Sequence, residues 1–498
     1  MQRLTQLSNH LNPNRLSSKT SKTLTVTDNR TGKTYELSIV DGILPGSELA
    51  KIKDAKNNPL RLNDPGYMNT VACVSRICYA DGNTGVLTYR GYPIEQLADH
   101  SNFLEVAFLL IFGDLPTKNQ YATWKYKVMT HTFIHEDLKE MMSHFRYNAH
   151  PMGLLVNMIS AESTLHPEGN TALNGTEIYN NPEVRNNFIY RILGKMPVFA
   201  ANAYRRRIGR PFVDPINGLD YIENFLTMID NYSDPNYKPH PTLVKALDTL
   251  FILQAEHETN NATAFLRHLA SAGCDVYMCI AGAAAALYGT KSGGAGEAAL
   301  RMFEAIGKKE NIPKFLEEVK QKKRILYGFG HRIYKNTDPR VKIVKKVVVD
   351  VFRILDKDPL LELALELEKA ALSDEYFIKR RLFPNIDYYS GLVFKAMGFP
   401  VDYFSVLFTI PMTAGWLAHW VEAIQDPDQK IVRPRQNYVG APRRNYVPAL
   451  DRKPNNFELE STRSAQQRRR EALLEDDINY FPEDDDDDDP SGEYNTSI

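Results

Sequence analysis

The chain has 498 residues, of which 43% are hydrophobic, so it can bury a sizeable core and is long enough for two or three domains. Its 60 basic and 61 acidic side chains nearly balance, which argues against a nucleic-acid partner. No run of about eighteen apolar residues occurs in the sequence, so no membrane partner is expected. The four cysteines match neither paired metal-binding spacings nor a disulfide scaffold, and no metal site is predicted.

The first predicted element in chain order is a β-hairpin. Residues 23–40 alternate polar and apolar side chains around the turn residues 29–32, which is typical of two short strands joined by a tight turn. From Tyr92 onward, apolar residues recur at three-to-four spacing, as in 103–112 and 341–355. The sequence therefore predicts a mostly α fold with a small N-terminal β-hairpin.

The composition changes after Tyr446. A basic cluster at 463–470 is followed by an unbroken acidic run, Asp484 to Asp489. Blocks of like charge repel one another and usually stay disordered. This segment is either an interaction tail or a solvated appendage, and composition favours the second interpretation.

One stretch, residues 328–340, combines glycines, a histidine and cations. It reads Gly-Phe-Gly-His-Arg-Ile-Tyr-Lys-Asn-Thr-Asp-Pro-Arg. Gly328 and Gly330 flank Phe329, so the backbone can approach a ligand closely while the imidazole of His331 points into the same space. The alternative is a surface turn whose basic residues are merely solvated.

Other candidate site residues lie elsewhere in the chain. Asp387 is the lone carboxylate of the apolar and aromatic run 383–391. Burying a carboxylate costs free energy, so one in such a run is expected to have a function or a charged partner. Together with His257, Arg340 and Arg433, it could bind a multiply anionic substrate and move a proton from carbon. Taken singly, each of these arginines could be an ordinary surface residue, and His257 could be a core histidine with its hydrogen bonds satisfied.

From about Leu24 to Tyr438, the chain resembles citrate synthases of the bacterial type that also occurs in glyoxysomes and peroxisomes. The resemblance implies an all-helical homodimer whose large and small domains close over oxaloacetate and acetyl-CoA, with no cofactor besides acetyl-CoA as co-substrate. The matching motifs are 90–93, 145–153, 208–211, the loop at 328–340, the Asp387 segment and 433–438.

The resemblance also implies a domain organisation that composition does not mark. The large domain is expected at 23–296 and again at 406–446, with the small domain at 297–405 between them. A targeting or flexible segment, 1–22, precedes this fold, and the basic then acidic tail, 447–498, follows it.

The resemblance assigns a role to each candidate. Asp387 matches the base that takes a proton from acetyl-CoA, and His331 matches the residue that polarises the ketone of oxaloacetate. The Gly328 loop matches an acetyl-CoA contact. His257, Arg340 and Arg433 match residues that hold the dicarboxylate, with Arg433 contributed by the partner subunit.

Two positions depart from the family pattern. Ser292 stands where the family carries a histidine that hydrogen-bonds the thioester oxygen, and Met412 stands where it carries a carboxylate-binding arginine. Losing one such oxyanion donor typically costs about a hundred- to a thousand-fold in rate. Two smaller changes, Gln254 for histidine and Glu256 for aspartate, lie beside His257.

Three functions are compatible with these departures. The first is a citrate synthase with an altered enolate-stabilising group, and the second is a citrate synthase-like protein with a binding or regulatory role. The third is a condensing enzyme for a different oxoacid, since Met412 makes one end of the pocket less cationic. Asp387 and His331 favour the first, because a purely structural role would not need them.

The N-terminus carries a candidate targeting motif. Arg3-Leu4, five further residues and His10-Leu11 resemble the type-2 peroxisomal import signal. This motif predicts a peroxisomal location and an import receptor as a partner. The alternative is a frayed polar N-terminus, because a degenerate four-residue pattern also arises by chance.

Overall fold

A computed structural model describes residues 22–355 and 358–452. The import motif and most of the charged tail lie outside these residues, so both predictions stay untested. The chain divides into two units, Met1–Arg433 and Pro434–Ile498. In the second unit, residues 434–452 are exposed and contain one short turn of 3-10 helix, Ala449–Asp451.

The predicted N-terminal hairpin is present. Strands β1, Lys22–Asp28, and β2, Lys33–Ile39, pair antiparallel. The turn closes because Gly32, at φ 73°, donates its N–H to the Asp28 carbonyl at 2.7 Å. A second sheet was not anticipated, because its strands have only two to four residues and show no readable alternation. Its strands are β3 (Cys78–Asp81), β4 (Val86–Tyr89) and β5 (Tyr92–Pro93).

The remaining regular structure is helical, as predicted. The α-helices of the described residues are α1 Gly46–Leu49, α2 Ile94–His100, α3 Phe103–Phe112, α4 Lys118–Met129, α5 Glu136–His144, α6 Pro151–Thr164, α7 Thr171–Asn174, α8 Pro182–Arg207, α9 Tyr221–Asp230, α10 Pro241–Gln254, α11 Asn261–Ser271, α12 Val276–Leu287, α13 Ala295–Ile306, α14 Ile312–Lys320, α15 Pro339–Phe352, α16 Pro359–Ser373, α17 Glu375–Lys379, α18 Asp387–Ala396 and α19 Phe404–Ile424.

Capping residues explain where these helices begin and end. Asn102 accepts a hydrogen bond from the Glu105 N–H at the start of α3, and Gly113 ends that helix in the left-handed conformation. Asp338 caps α15 in the same way, with Pro339 at its first position. The periodic segments predicted at 103–112 and 341–355 therefore fall on α3 and α15.

Helix α19 forms the centre of the core. It packs against α3, α8, α11 and α12, and its side chains Trp416 and Trp420 are fully buried. With the turn before it, the segment Val401–Ile424 is long and apolar enough to cross a membrane by length and composition alone. Since 94% of its most apolar window is buried inside the fold, core packing accounts for its hydrophobicity.

A second group of helices positions the candidate site. Helix α18 packs against α13 and α15, and α16 packs against α13. Helices α13, α15 and α18 begin at Ala295, Pro339 and Asp387, close in sequence to the candidate residues Ser292, Arg340 and Asp387. The N-termini of helices carry partial positive charge and favour anionic groups.

The predicted boundaries of the small domain, at residues 297 and 405, stay predictions.

Candidate active site

Two segments that are distant in sequence pair side by side at the site. The Gly330 N–H donates to the Phe383 carbonyl, and the Asn385 N–H donates to the Gly328 carbonyl, both at 2.8 Å. The Asn385 side-chain amide also donates to the Gly330 carbonyl at 2.8 Å. This pairing fixes the histidine after Gly330 relative to the segment that leads into Asp387.

Glycine is required in this loop for two separate reasons. Gly328 has φ 77°, and a Cβ there would lie 2.8 Å from the Cα of Tyr388.

The part of the loop after His331 packs against the turn between β3 and β4, where the Lys335 N–H donates to the Gly82 carbonyl at 2.9 Å. A Cβ at Gly82 would come within 1.9 Å of the Ile333 carbonyl oxygen, so the loop can pack this closely against the β3–β4 turn only because residue 82 is glycine.

The tautomer of His331 is fixed by the backbone. The N–H groups of Ile333 and Tyr334 donate to its Nδ1 at 3.1 and 3.3 Å. Because a backbone N–H can only donate, the neutral imidazole must carry its proton on Nε2. Burial, followed by the charge of Arg340, lowers the pKa of His331 to about 4. At physiological pH the residue is therefore a neutral N–H donor.

His257 lies next to His331. Its Nε2 lies 3.0 Å from the hydroxyl of Tyr334, and the two imidazole rings are 5.0 Å apart. Burial, together with the positive charge of Arg340, holds the pKa of His257 well below its usual value. Two neutral imidazoles and a phenol hydroxyl thus meet in one place.

The positive charge of the site belongs to Arg340, which forms a buried ion pair with Asp338. Its Nε and Nη2 donate to the two carboxylate oxygens at 3.0 and 2.8 Å, while Nη1 donates to the Leu253 carbonyl at 3.4 Å. Burial opposes the charge of Arg340, but Asp338 outweighs it and raises its pKa. Asp338 also accepts the Ile386 N–H at 3.3 Å, so the ion pair joins α15 to the Asp387 segment.

Asp387 is the first residue of α18. Its own N–H donates to the Asn385 side chain at 3.0 Å. Burial raises the pKa of its carboxyl group from 3.8 to about 6, although the charge of Arg340 works in the other direction. A carboxylate with this pKa is a stronger base than one in water and is still largely ionised at neutral pH.

A small cavity lies against this carboxylate. Its apolar wall consists of three phenylalanines, Phe394, Phe404 and Phe408. Gln254, Gly293, Gly296, Ser390 and Asp387 complete the lining.

The two changed residues that flank His257 have different surroundings. Glu256 is fully buried, and its carboxylate lies 3.0 Å from Nε2 of His419, in an ion pair if that histidine is protonated. Gln254 is the last residue of α10 and lines the cavity. Its Oε1 is buried with no hydrogen-bond partner among the described residues.

No hydrogen bond among the described residues joins the other predicted residues, Ser292, Met412 and Arg433, to this cluster. Ser292 is half-buried in the turn before α13, where its N–H donates to the Gly289 carbonyl at 2.8 Å, and it does not line the cavity. Met412 is buried in α19 and does not line it either. Arg433 is exposed in the single chain, and no described residue hydrogen-bonds its side chain.

Sequence analysis missed three residues that organise the site: Tyr334, Asp338 and Asn385. Asp338 had a readable signal, because Asp-Pro before a helical pattern predicts a helix cap. Tyr334 had none, since the partner of its hydroxyl, His257, is distant in sequence. Asn385 had only a local one, the turn bond to the Asp387 N–H, because its partner in the glycine loop is also distant. Within the described ranges, no cluster of three or more His, Cys, Asp or Glu side chains could hold a metal ion.

The fold and the site together define a class of protein. Neutral imidazoles, one buried cation and one basic carboxylate, held together in a mostly helical chain, suit acid–base chemistry on an anionic substrate. The family model for the C-terminal domain of citrate synthase matches residues 66–435. The chain belongs to the citrate synthase family, which confirms the resemblance inferred from its motifs.

Individual relatives agree with this assignment. A citrate synthase of Dictyostelium discoideum is 56% identical over 89% of this chain and 86% of its own. A peroxisomal citrate synthase of the same organism is 54% identical over 90% of this chain and 91% of its own. The solved ternary complex of citrate synthase from Thermoplasma acidophilum with carboxymethyl coenzyme A and oxaloacetate is 28% identical. It has a TM-score of 0.70 and covers 77% of this chain and 98% of its own.

Proposed function

We propose that the protein condenses acetyl-CoA with oxaloacetate to give citrate and CoA, as a step of the tricarboxylic acid or glyoxylate cycle in peroxisomes. The observation that carries the proposal is the coupling of a basic carboxylate to a neutral histidine. Asp387 and His331 are held by the paired segments 328–330 and 383–385. A protein with a purely binding role has no need for either ionisation state.

The proposed reaction follows from these two groups. The Asp387 carboxylate takes a proton from the acetyl methyl group, and the electron pair of that C–H bond becomes the C=C bond of an enolate. The enolate carbon then uses this pair to form the new C–C bond to the ketone carbon. The ketone oxygen, which gains the charge, takes the Nε2 proton of His331. The proton held by Asp387 returns to Nε2 of His331 through solvent, and water hydrolyses the resulting thioester to the CoA thiol and the new carboxylate, with release of one proton.

The remaining candidate residues are proposed to hold the substrates. Nη1 of Arg340 has only the long bond to Leu253 among the described residues, so it is the guanidinium atom available to a substrate carboxylate. His257 supplies a second neutral donor beside it. We place acetyl-CoA at the Gly328 loop, with no further cofactor.

The proposed active unit is a homodimer. Arg433 is exposed in the single chain and has no hydrogen bond to the described site residues, which fits a residue that completes the partner's site. The proposed location rests on the peroxisomal relative and on the motif formed by Arg3, Leu4, His10 and Leu11, with the import receptor as a further partner.

The test is release of free thiol by the full-length protein when it is given acetyl-CoA and oxaloacetate. Ser292→His, Met412→Arg and the double variant are assayed beside it, together with a panel of other 2-oxoacids. Turnover of oxaloacetate by the unaltered chain supports the proposal. Activity only in the double variant would instead mean a protein that keeps the fold for a binding or regulatory role. A preference for an oxoacid with one carboxylate fewer would mean a different condensing enzyme.

A further inference from the structure

The side-chain amide of Gln254 is an unsatisfied polar group in the cavity beside Asp387. Gln254 is 2% exposed, its Oε1 is buried without a partner, and no hydrogen bond to its side chain occurs among the described residues. Burying a polar group without a partner opposes folding. Nε2 of the same amide also has no partner among the described residues, so its N–H groups are available to an acceptor that enters the cavity.

The position of the amide limits what that ligand can be. Asp387 lines the same cavity, and three phenylalanines form its apolar wall. The reacting carbon of a thioester must reach Asp387, so the neighbouring thioester oxygen must lie in the same space. Hydrogen bonds to developing charge are strong in such apolar surroundings.

Ser292 is the competing donor, since it occupies the family's histidine position. Its neighbour Gly293 lines the cavity, but Ser292 itself does not. The serine hydroxyl is shorter than an imidazole and is held in the turn between α12 and α13. The amide of Gln254, at the end of α10, already reaches the cavity.

We infer that Gln254 is a catalytic residue whose Nε2–H donates to the thioester oxygen of the acyl-CoA substrate while Asp387 removes the proton from the adjacent carbon. The electron pair of the broken C–H bond becomes the C=C bond of the enolate, and the thioester oxygen takes the negative charge. This inference rests on the proposed function. It assigns to Gln254 the task left open by the serine at position 292.

The experiment measures thiol release by the full-length protein and by Gln254→Met, which has similar length but no donor. Its kcat should fall about a hundred- to a thousand-fold, while the KM for oxaloacetate stays within about threefold. Gln254→Leu is the second variant in case the first fails to fold. Gln321→Met, the same change at an exposed glutamine bonded to Glu317, is the matched control and should keep wild-type kcat.

Thermal unfolding separates catalysis from structure. Replacing an unpartnered buried amide by an apolar side chain should leave the Tm unchanged or raise it, because the cost of burying the amide disappears. A kcat loss accompanied by a lower Tm in both Gln254 variants would indicate a structural role and overturn the inference. So would a kcat within threefold of wild type, most clearly if Ser292→Ala alone lost a hundredfold.

If the unaltered protein releases no thiol with any oxoacid, the proposed function is wrong, and binding then tests Gln254 separately. The probe is carboxymethyl coenzyme A in the presence of oxaloacetate, the pair bound in the Thermoplasma acidophilum complex. At least tenfold weaker binding by Gln254→Met than by Gln321→Met supports the inference. Equal binding by the two, or no binding by the unaltered chain, overturns it.

Discussion

Asp387 combines two properties that usually exclude each other, since it is ionised at neutral pH and yet kept in apolar surroundings. The fold achieves this by placing it at the start of α18, near the charge of Arg340 but not hydrogen-bonded to it. The guanidinium of Arg340 instead forms its ion pair with a second carboxylate, Asp338. One aspartate therefore neutralises the arginine, and the other stays available as a base.

Replacing Asp387 by asparagine should separate stability from activity. Burial raises its pKa to about 6, so the ionised form destabilises the folded state above that pH. Asp387→Asn should be more stable at pH 8, by at most about 3 kcal/mol, while thiol release is abolished. Urea unfolding measures the difference, which should vanish below about pH 4, where the aspartate is protonated in both states. Equal or lower stability of the variant at pH 8 would contradict this account.

The pH dependence of kcat/KM should show one acidic limb. The proposed reaction requires ionised Asp387, so activity should fall with unit slope below about pH 6. His331, with a pKa of about 4, stays neutral over this range and adds no limb of its own. Recording the profile at two temperatures identifies the group, because the pKa of a carboxyl group barely moves on warming whereas that of an imidazole falls. A limb that shifts with temperature would assign the titration to a histidine.

At the scale of elements, the site depends on two loop segments that pair through backbone hydrogen bonds. At Gly328 the approach is too close for a side chain, because an added Cβ would lie 2.8 Å from Tyr388. The distance between His331 and Asp387 is therefore set by backbone geometry. A shift of the loop would misplace both groups together.

Gly328→Ala should lower both stability and kcat/KM. Its φ of 77° costs an alanine about 1 kcal/mol or more, and the new Cβ would meet the Tyr388 backbone at 2.8 Å. Gly398→Ala is the matched control, because Gly398 has φ 84° but nothing within 4 Å of the added Cβ. We expect Gly398→Ala to lose stability alone, whereas Gly328→Ala loses at least tenfold in kcat/KM as well. Similar kinetics for the two variants would show that the close approach has no part in catalysis.

At the scale of the whole molecule, one candidate, Arg433, is unlike the others. His257, His331 and Arg340 lie together in a single chain, but Arg433 is exposed at the end of the first unit. Its proposed role needs a second copy of the chain. Closed homodimers are the commonest oligomers, and they allow such exchange between equivalent sites.

Mixing two inactive variants tests this role. Asp387→Asn and Arg433→Ala should each be inactive as homodimers. If Arg433 acts across the interface, a mixed dimer has one site with both defects and one intact site. Random mixing should then restore about a quarter of wild-type thiol release, since half of the dimers are mixed and half of their sites are intact. Mixed dimers without activity would place Arg433 in its own chain's site, and an active Arg433→Ala homodimer would place it outside the site altogether.

The sequence by itself determined the class of fold and most of the chemistry. Helical periodicity, turn residues and caps are local properties, so α3, α15 and the N-terminal hairpin could be read from it. The candidate residues were also readable, because a lone aspartate in an apolar run and a histidine after paired glycines are unusual.

Only the tertiary structure decided which protonation states and partners these residues have. The lowered pKa of His331, the raised pKa of Asp387, the hydrogen bond from the Ile386 N–H to Asp338 and the unpartnered Oε1 of Gln254 depend on how the loop, α10, α15 and α18 pack. These properties follow from burial and from contacts between segments tens of residues or more apart. Local sequence carries no record of either, and so the residue proposed to replace the missing histidine became visible only in the folded chain.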